Sequence, residues 1–204
     1  MDWSQAFRAF FGLYPDQLCT RVILTNIEPI FCGIKESAGI LFSYSSGFYR
    51  GCRLRFSDGE DFDLFKIPPG NSVIDVLKLL TKYSREIVFL GIAGSLRDNY
   101  HLGDVCTVQS FTRPGEHTLG PGPIICQTSG LIQEDTFYCQ LKAEGVDLVD
   151  MECFDVFSIC RDNNVALRYV VQISDCPLEI PFYQASAQAI RSKTFLKEMG
   201  IVIE

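Results

Sequence analysis

The spacing of apolar and polar positions changes along the chain, and the changes mark its elements. Phe7, Phe10 and Phe11 fall on one side of a helix over residues 2–12, with Asp2 or Ser4 as its cap. Residues 21–27 and 62–67 read as strands, 87–92 as an apolar strand, and 40–44 and 48–56 as strands joined through Ser45-Ser46-Gly47. Val73, Val76, Leu77 and Leu80 predict a helix over 73–83, behind the turn residues 68–72. Strands are expected at 105–110 and 124–128, and helices over 134–144 and 182–199. Residues 112–123, rich in Gly and Pro, read as one long loop. Hairpins come first and strand–helix alternation follows. That order predicts an α/β fold, an α/β/α sandwich around a central mixed sheet. Neither repeat nor linker interrupts it, so residues 1–204 are expected to form a single domain, with 1–20 as a helical N-terminal extension.

The most informative stretch is 146–175. An apolar run from Val146 to Val149 is broken by Asp150-Met151-Glu152. Cys153, Val156, Phe157 and Cys160 then share a helical face until Asn163-Asn164 stop it. A second apolar strand, 166–173, ends in Ser174-Asp175-Cys176-Pro177. This strand–helix–strand unit carries a carboxylate at the end of each strand, where ligands bind in open α/β sheets.

Charge and cysteine content narrow the field. The net charge is −7 with no basic block, which argues against nucleic acid and anionic membranes as partners. No apolar run reaches membrane-spanning length, and residues 1–20 lack the pattern of a signal peptide. The nine cysteines include no CxxC pair, and most lie in apolar runs. They read as reduced, buried thiols of a cytoplasmic protein. His101 and His117 stand apart from any Cys pair, so no zinc site is expected.

Met151-Glu152 closing one strand and Ser174-Asp175 closing the next resemble the purine nucleoside phosphorylase/nucleosidase superfamily. The likeness is greatest to the 5′-methylthioadenosine/S-adenosylhomocysteine nucleosidases and the futalosine hydrolases. It implies a nucleoside phosphorylase-like fold and hydrolysis of the N-glycosidic bond of a 5′-modified adenine nucleoside. Candidate substrates are 5′-methylthioadenosine, S-adenosylhomocysteine, 5′-deoxyadenosine and 6-amino-6-deoxyfutalosine. No metal or cofactor is implied, and the family's usual state is a homodimer.

The resemblance also assigns roles. Asp175 would protonate the leaving base, with Ser174 beside it; read alone, Asp175 is equally a turn cap before Pro177. Glu152 would hold the ribose hydroxyls with Met151 lining the sugar; otherwise Glu152 is a helix-start acid, a role that suits Asp150 better. Ala93 and Gly94, in the turn 91–96, would let the backbone approach the sugar. Ile92 departs from the hydroxyl residue common there. Glu28, the acid after the first strand, would be the general base on water. Leu131 and Ile132 would border the base, Leu131 replacing an aromatic ring, and Phe182 would line the 5′ side. Pro69-Gly70-Asn71-Ser72 resembles a degraded glycine-rich turn, though Asn71 or Ser72 as a helix N-cap is sufficient and the better explanation. Arg50, Arg53 and Arg97 are the nearest candidates for holding phosphate, and none lies in a phosphate motif. The competing readings are a phosphorylase of the same fold, a non-catalytic nucleoside-binding protein and, weakest, a dinucleotide-binding module.

Overall fold

The computed structural model describes residues 3–44, 47–57, 59–70, 72–118, 120–129, 134–181 and 192–198. The chain enters through helix α1 (Trp3–Phe11), then strand β1 (Arg21–Thr25) and helix α2 (Glu28–Ser37). Three strands follow, β2 (Gly39–Tyr44), β3 (Arg50–Arg55) and β4 (Asp61–Lys66), and then helix α3 (Ser72–Leu80) and the long strand β5 (Glu86–Ser95). Next come β6 (Val105–Val108), β7 (Ser110–Arg113), β8 (Glu116–Thr118) and β9 (Ile124–Gln127). Helix α4 (Asp135–Ala143), β10 (Leu148–Asp150), helix α5 (Cys153–Asp162), β11 (Ala166–Asp175) and helix α6 (Ser192–Glu198) complete the described chain.

All the strands belong to one mixed sheet, in the order β2-β3-β4-β1-β5-β10-β9-β7-β8, with β11 pairing β5 and β6. Its centre is parallel: β5 runs alongside β1 on one side and β11 on the other. Parallel centres are covered on both faces, which explains apolar runs without alternation in these three strands. Val22, Leu24, Ile87, Phe89, Tyr169 and Val171 face a core shared with α1, α3 and α5. Ile23, Val88, Leu90 and Val170 face the opposite core, with Ile30 and Ile34 of α2 and Phe195 of α6. The sandwich expected from the sequence is therefore present.

Three expectations need correction. Residues 28–37 form helix α2, which the strand-and-turn reading omitted, and β1 stops at Thr25. Pro29 sits in the first turn of α2, where a missing N–H costs nothing. The stretch 112–123 is no uniform loop: β7 ends in it and β8 pairs antiparallel with β7. The strand expected at 105–110 is two, because β6 pairs with β11 while β7 pairs with β9.

Gly94 is where the sheet forks. It pairs with Asp175 of β11 and with Val149 of β10. A Cβ there would lie 2.9 Å from Pro177 Cγ, 3.0 Å from Asp175 Oδ2 and 3.0 Å from Val149 Cγ2. Only a glycine lets the three segments close this tightly.

Candidate functional site

The carboxyl ends of β1, β4, β5, β9, β10 and β11 open onto one cavity of about 350 Å³. It is lined by residues at or just past the strand ends: Asn26 and Ile27, Pro69 and Gly70, Ile92 to Gly94, Thr128, Val149 to Glu152, and Ser174, Asp175 and Pro177. Tyr138 of α4 adds a ring. This is where the strand-end rule places a ligand.

Asp175 ends β11 just past a register shift between Ile173 and Asp175, which turns the strand's last residues toward Gly94. Its side chain is 6% exposed. Burial raises its carboxyl pKa, and the Ser174 hydroxyl, donating to Asp175 Oδ1 at 2.6 Å, partly opposes the rise. A carboxyl raised by burial at a cavity wall suits proton donation.

Glu152 caps α5 through its carbonyl, which accepts from Val156 N at 3.0 Å. Its side chain turns into the cavity, where Oε1 accepts from Gly70 N at 2.5 Å. Gly70 has φ +76°, a left-handed conformation that favours glycine. Gly70 therefore serves the site, two residues before α3 begins at Ser72. Asp150 takes the structural duty. Its Oδ1 accepts from Glu152 N at 2.6 Å, Cys153 N at 2.7 Å and the Tyr169 hydroxyl at 3.0 Å. Burial raises both carboxyls, and three donors hold Asp150 down, so Glu152, also repelled by Asp150, is raised to about 7.

Six of the residues singled out by sequence thus meet here: Asp175, Glu152, Met151, Ala93, Gly94 and Ser174. Glu28 does not join them. It opens α2, is exposed, pairs with Arg50 and accepts from Cys32 Sγ at 3.2 Å. The helical turn begun at Ile27 carries it away from the strand end. Leu131, Ile132 and Phe182 lie outside the described residues. Sequence reasoning missed Asn26, Thr128 and Tyr138. Asn26 and Thr128 each directly follow a strand end, a signal that was available; Tyr138 sits on the buried side of α4, where no local signal marks it.

The described lining contains no Lys, Arg or His. Arg50 pairs with Glu28, Arg53 with buried Asp63, and Arg97 with Asp147.

By sequence the chain matches no family model and no curated protein. By structure it is similar to the purine nucleoside phosphorylase of Toxoplasma gondii in complex with immucillin-H, at TM-score 0.74 and 15% identity over 93% of this chain and 90% of that one. It is similar to a 5′-methylthioadenosine/S-adenosylhomocysteine nucleosidase of Colwellia psychrerythraea in complex with adenine, at TM-score 0.69 and 15% identity over 90% and 97%. It is also similar to the futalosine hydrolase of Helicobacter pylori, at TM-score 0.69 and 16% identity over 88% and 96%. The fold is the nucleoside phosphorylase/nucleosidase fold.

Proposed function

We propose that the protein hydrolyses the N-glycosidic bond of an adenine ribonucleoside modified at its 5′ position, releasing adenine. The observation that carries this reading is the pairing of two buried carboxyls across one cavity, Asp175 with a raised pKa and Glu152 held by Gly70. In the proposed reaction the bond from C1′ to the base breaks with its electrons staying on the base. Asp175 delivers a proton to N7, so the base leaves neutral. The Glu152 carboxylate accepts hydrogen bonds from the ribose 2′- and 3′-hydroxyls and stabilises the positive charge that grows on the sugar. Those donors favour its charged form. Ala93 and Gly94 give the sugar a flat backbone floor.

One observation favours hydrolysis over phosphorolysis, since nucleosidases and phosphorylases alike share the fold. The described lining offers no cation to hold a phosphate, and its ionisable side chains are carboxyls apart from the Tyr138 phenol. The test is incubation with 5′-methylthioadenosine, S-adenosylhomocysteine, 5′-deoxyadenosine, 6-amino-6-deoxyfutalosine, inosine and uridine, with chromatography for free base. Adenine from at least one 5′-modified nucleoside is expected. Release only from inosine or uridine, or no release from any, would refute this assignment.

A further inference from the structure

We propose that Asn26 holds the attacking water, the role that sequence had given to Glu28; this rests on the hydrolase reading above. The placement of the strands carries the argument. Asp175 ends β11, on one side of β5, while Asn26 follows β1, on the other. A leaving base protonated by Asp175 lies over the β11 side, and Glu152, bonded to Gly70, anchors the sugar between. Displacement at C1′ brings the nucleophile in opposite the leaving group, from the wall built by the ends of β1 and β4. The described residues of that wall are Asn26, Ile27, Pro69 and Gly70, and Asn26 alone among them has a polar side chain.

Asn26 is also unsatisfied. Its Oδ1 is buried without a hydrogen-bond partner among the described residues. A buried acceptor left unpaired is costly, and such groups call for a function. Asn26 lines the cavity, so a water bound there supplies the hydrogen bond that Oδ1 lacks among the described residues. An amide oxygen accepts a hydrogen bond but is too weak a base to keep the proton. Asn26 therefore orients the water. The water oxygen bonds to C1′ as the base departs with the proton from Asp175. The surplus proton on the new hydroxyl leaves to solvent, from which Asp175 is reprotonated.

The test compares wild type with Asn26→Ala and Asn26→Asp, using the nucleoside the panel identifies, in buffer with and without methanol. Asn26→Ala should lower kcat by about 10²-fold with KM little changed, because misplacing a nucleophile costs rate rather than binding. It should also raise the ratio of methyl glycoside to free sugar, since the vacated space admits methanol. Asn26→Asp should recover turnover with a new ionisation on the acidic limb of its pH profile. Both variants should melt no lower than wild type. If wild type releases no adenine, the hydrolase reading fails and this one with it. If wild type is active and Asn26→Ala keeps its kcat and its methanol partition, or only melts earlier with that partition unchanged, the role of Asn26 alone is overturned.

Discussion

Asp175 and Glu152 share a cavity but are held by different means, and this sets what each substitution does. Among the described residues Asp175 has one side-chain donor, Ser174, and it is buried beside Gly94. Asp175→Asn keeps the shape of the carboxyl and removes the proton. Base release should fall by about 10²–10⁴-fold, the usual cost of losing a general acid, while nucleoside binding measured by calorimetry persists. Turnover near wild type would remove Asp175 from the mechanism. Glu152 titrates differently in the folded and unfolded chain. Burial and the Asp150 charge raise it from 4.5 to about 7. Between those values the folded protein holds a proton that the unfolded chain has released, so the stability this carboxyl contributes is fully present below 4.5 and is lost as pH rises through about 7. Glu152→Gln is neutral throughout and should flatten that decline. Urea midpoints measured across the window are the check, and an unchanged slope would count against the raised carboxyl. The same variant should discriminate less between ribo- and 2′-deoxyribonucleosides.

Among elements, the parallel strands and the unit 146–175 were legible because continuous apolar runs and acids at strand ends are local signals. Helix α2 was not. Its sequence, EPIFCGIKES, has Pro second and a glycine inside, both poor helix signals, and its helicity comes from packing Ile30 and Ile34 on the sheet. That one omission displaced Glu28, since an acid in a helix's first turn points elsewhere than an acid at a strand end. The fork at Gly94 was legible only as a small-residue turn; pairing with both β10 and β11 is tertiary information. It yields a prediction at this scale. In Gly94→Ala the new Cβ meets Pro177, Asp175 and Val149 at 2.9 to 3.0 Å, so the strands must part. Overpacking of this kind costs about 1–3 kcal/mol, a fall of roughly 2–4 °C in Tm for each kcal/mol in a chain of this size. Activity should fall further than stability, because Asp175 is one of the displaced groups. A variant with wild-type Tm and kcat would show that the fork is looser than drawn.

For the molecule as a whole, the distribution of charge and apolar surface decides partners and nucleophile. Phe48 is 75% exposed, next to Phe10, and the edge strand β2 exposes Ile40, Leu41 and Phe42. An apolar edge beside an apolar patch is the kind of surface that self-association covers. We expect a homodimer, with a sedimentation mass near twice 22.9 kDa at micromolar concentration, weakened by Phe48→Glu; a monomer mass would refute it. The nucleophile follows from where the cations are spent. The net charge is −7, and Arg50, Arg53 and Arg97 each pair with a carboxylate, as Lys66 donates to the Ile67 carbonyl at 3.1 Å. Recruiting any of these arginines to a phosphate would strand its partner; for Arg53 that partner is Asp63, a fully buried carboxylate whose loss of pairing is strongly destabilising. A phosphorylase must hold a multiply charged nucleophile beside a developing sugar cation, with several convergent donors. A neutral water needs only an orienting acceptor and room. Adenine and free sugar should therefore form at similar rates in phosphate buffer and in phosphate-free buffer. Strict dependence on phosphate, with a sugar 1-phosphate as product, would mean that cations from elsewhere complete the cavity, and would overturn the hydrolytic reading together with the role given to Asn26.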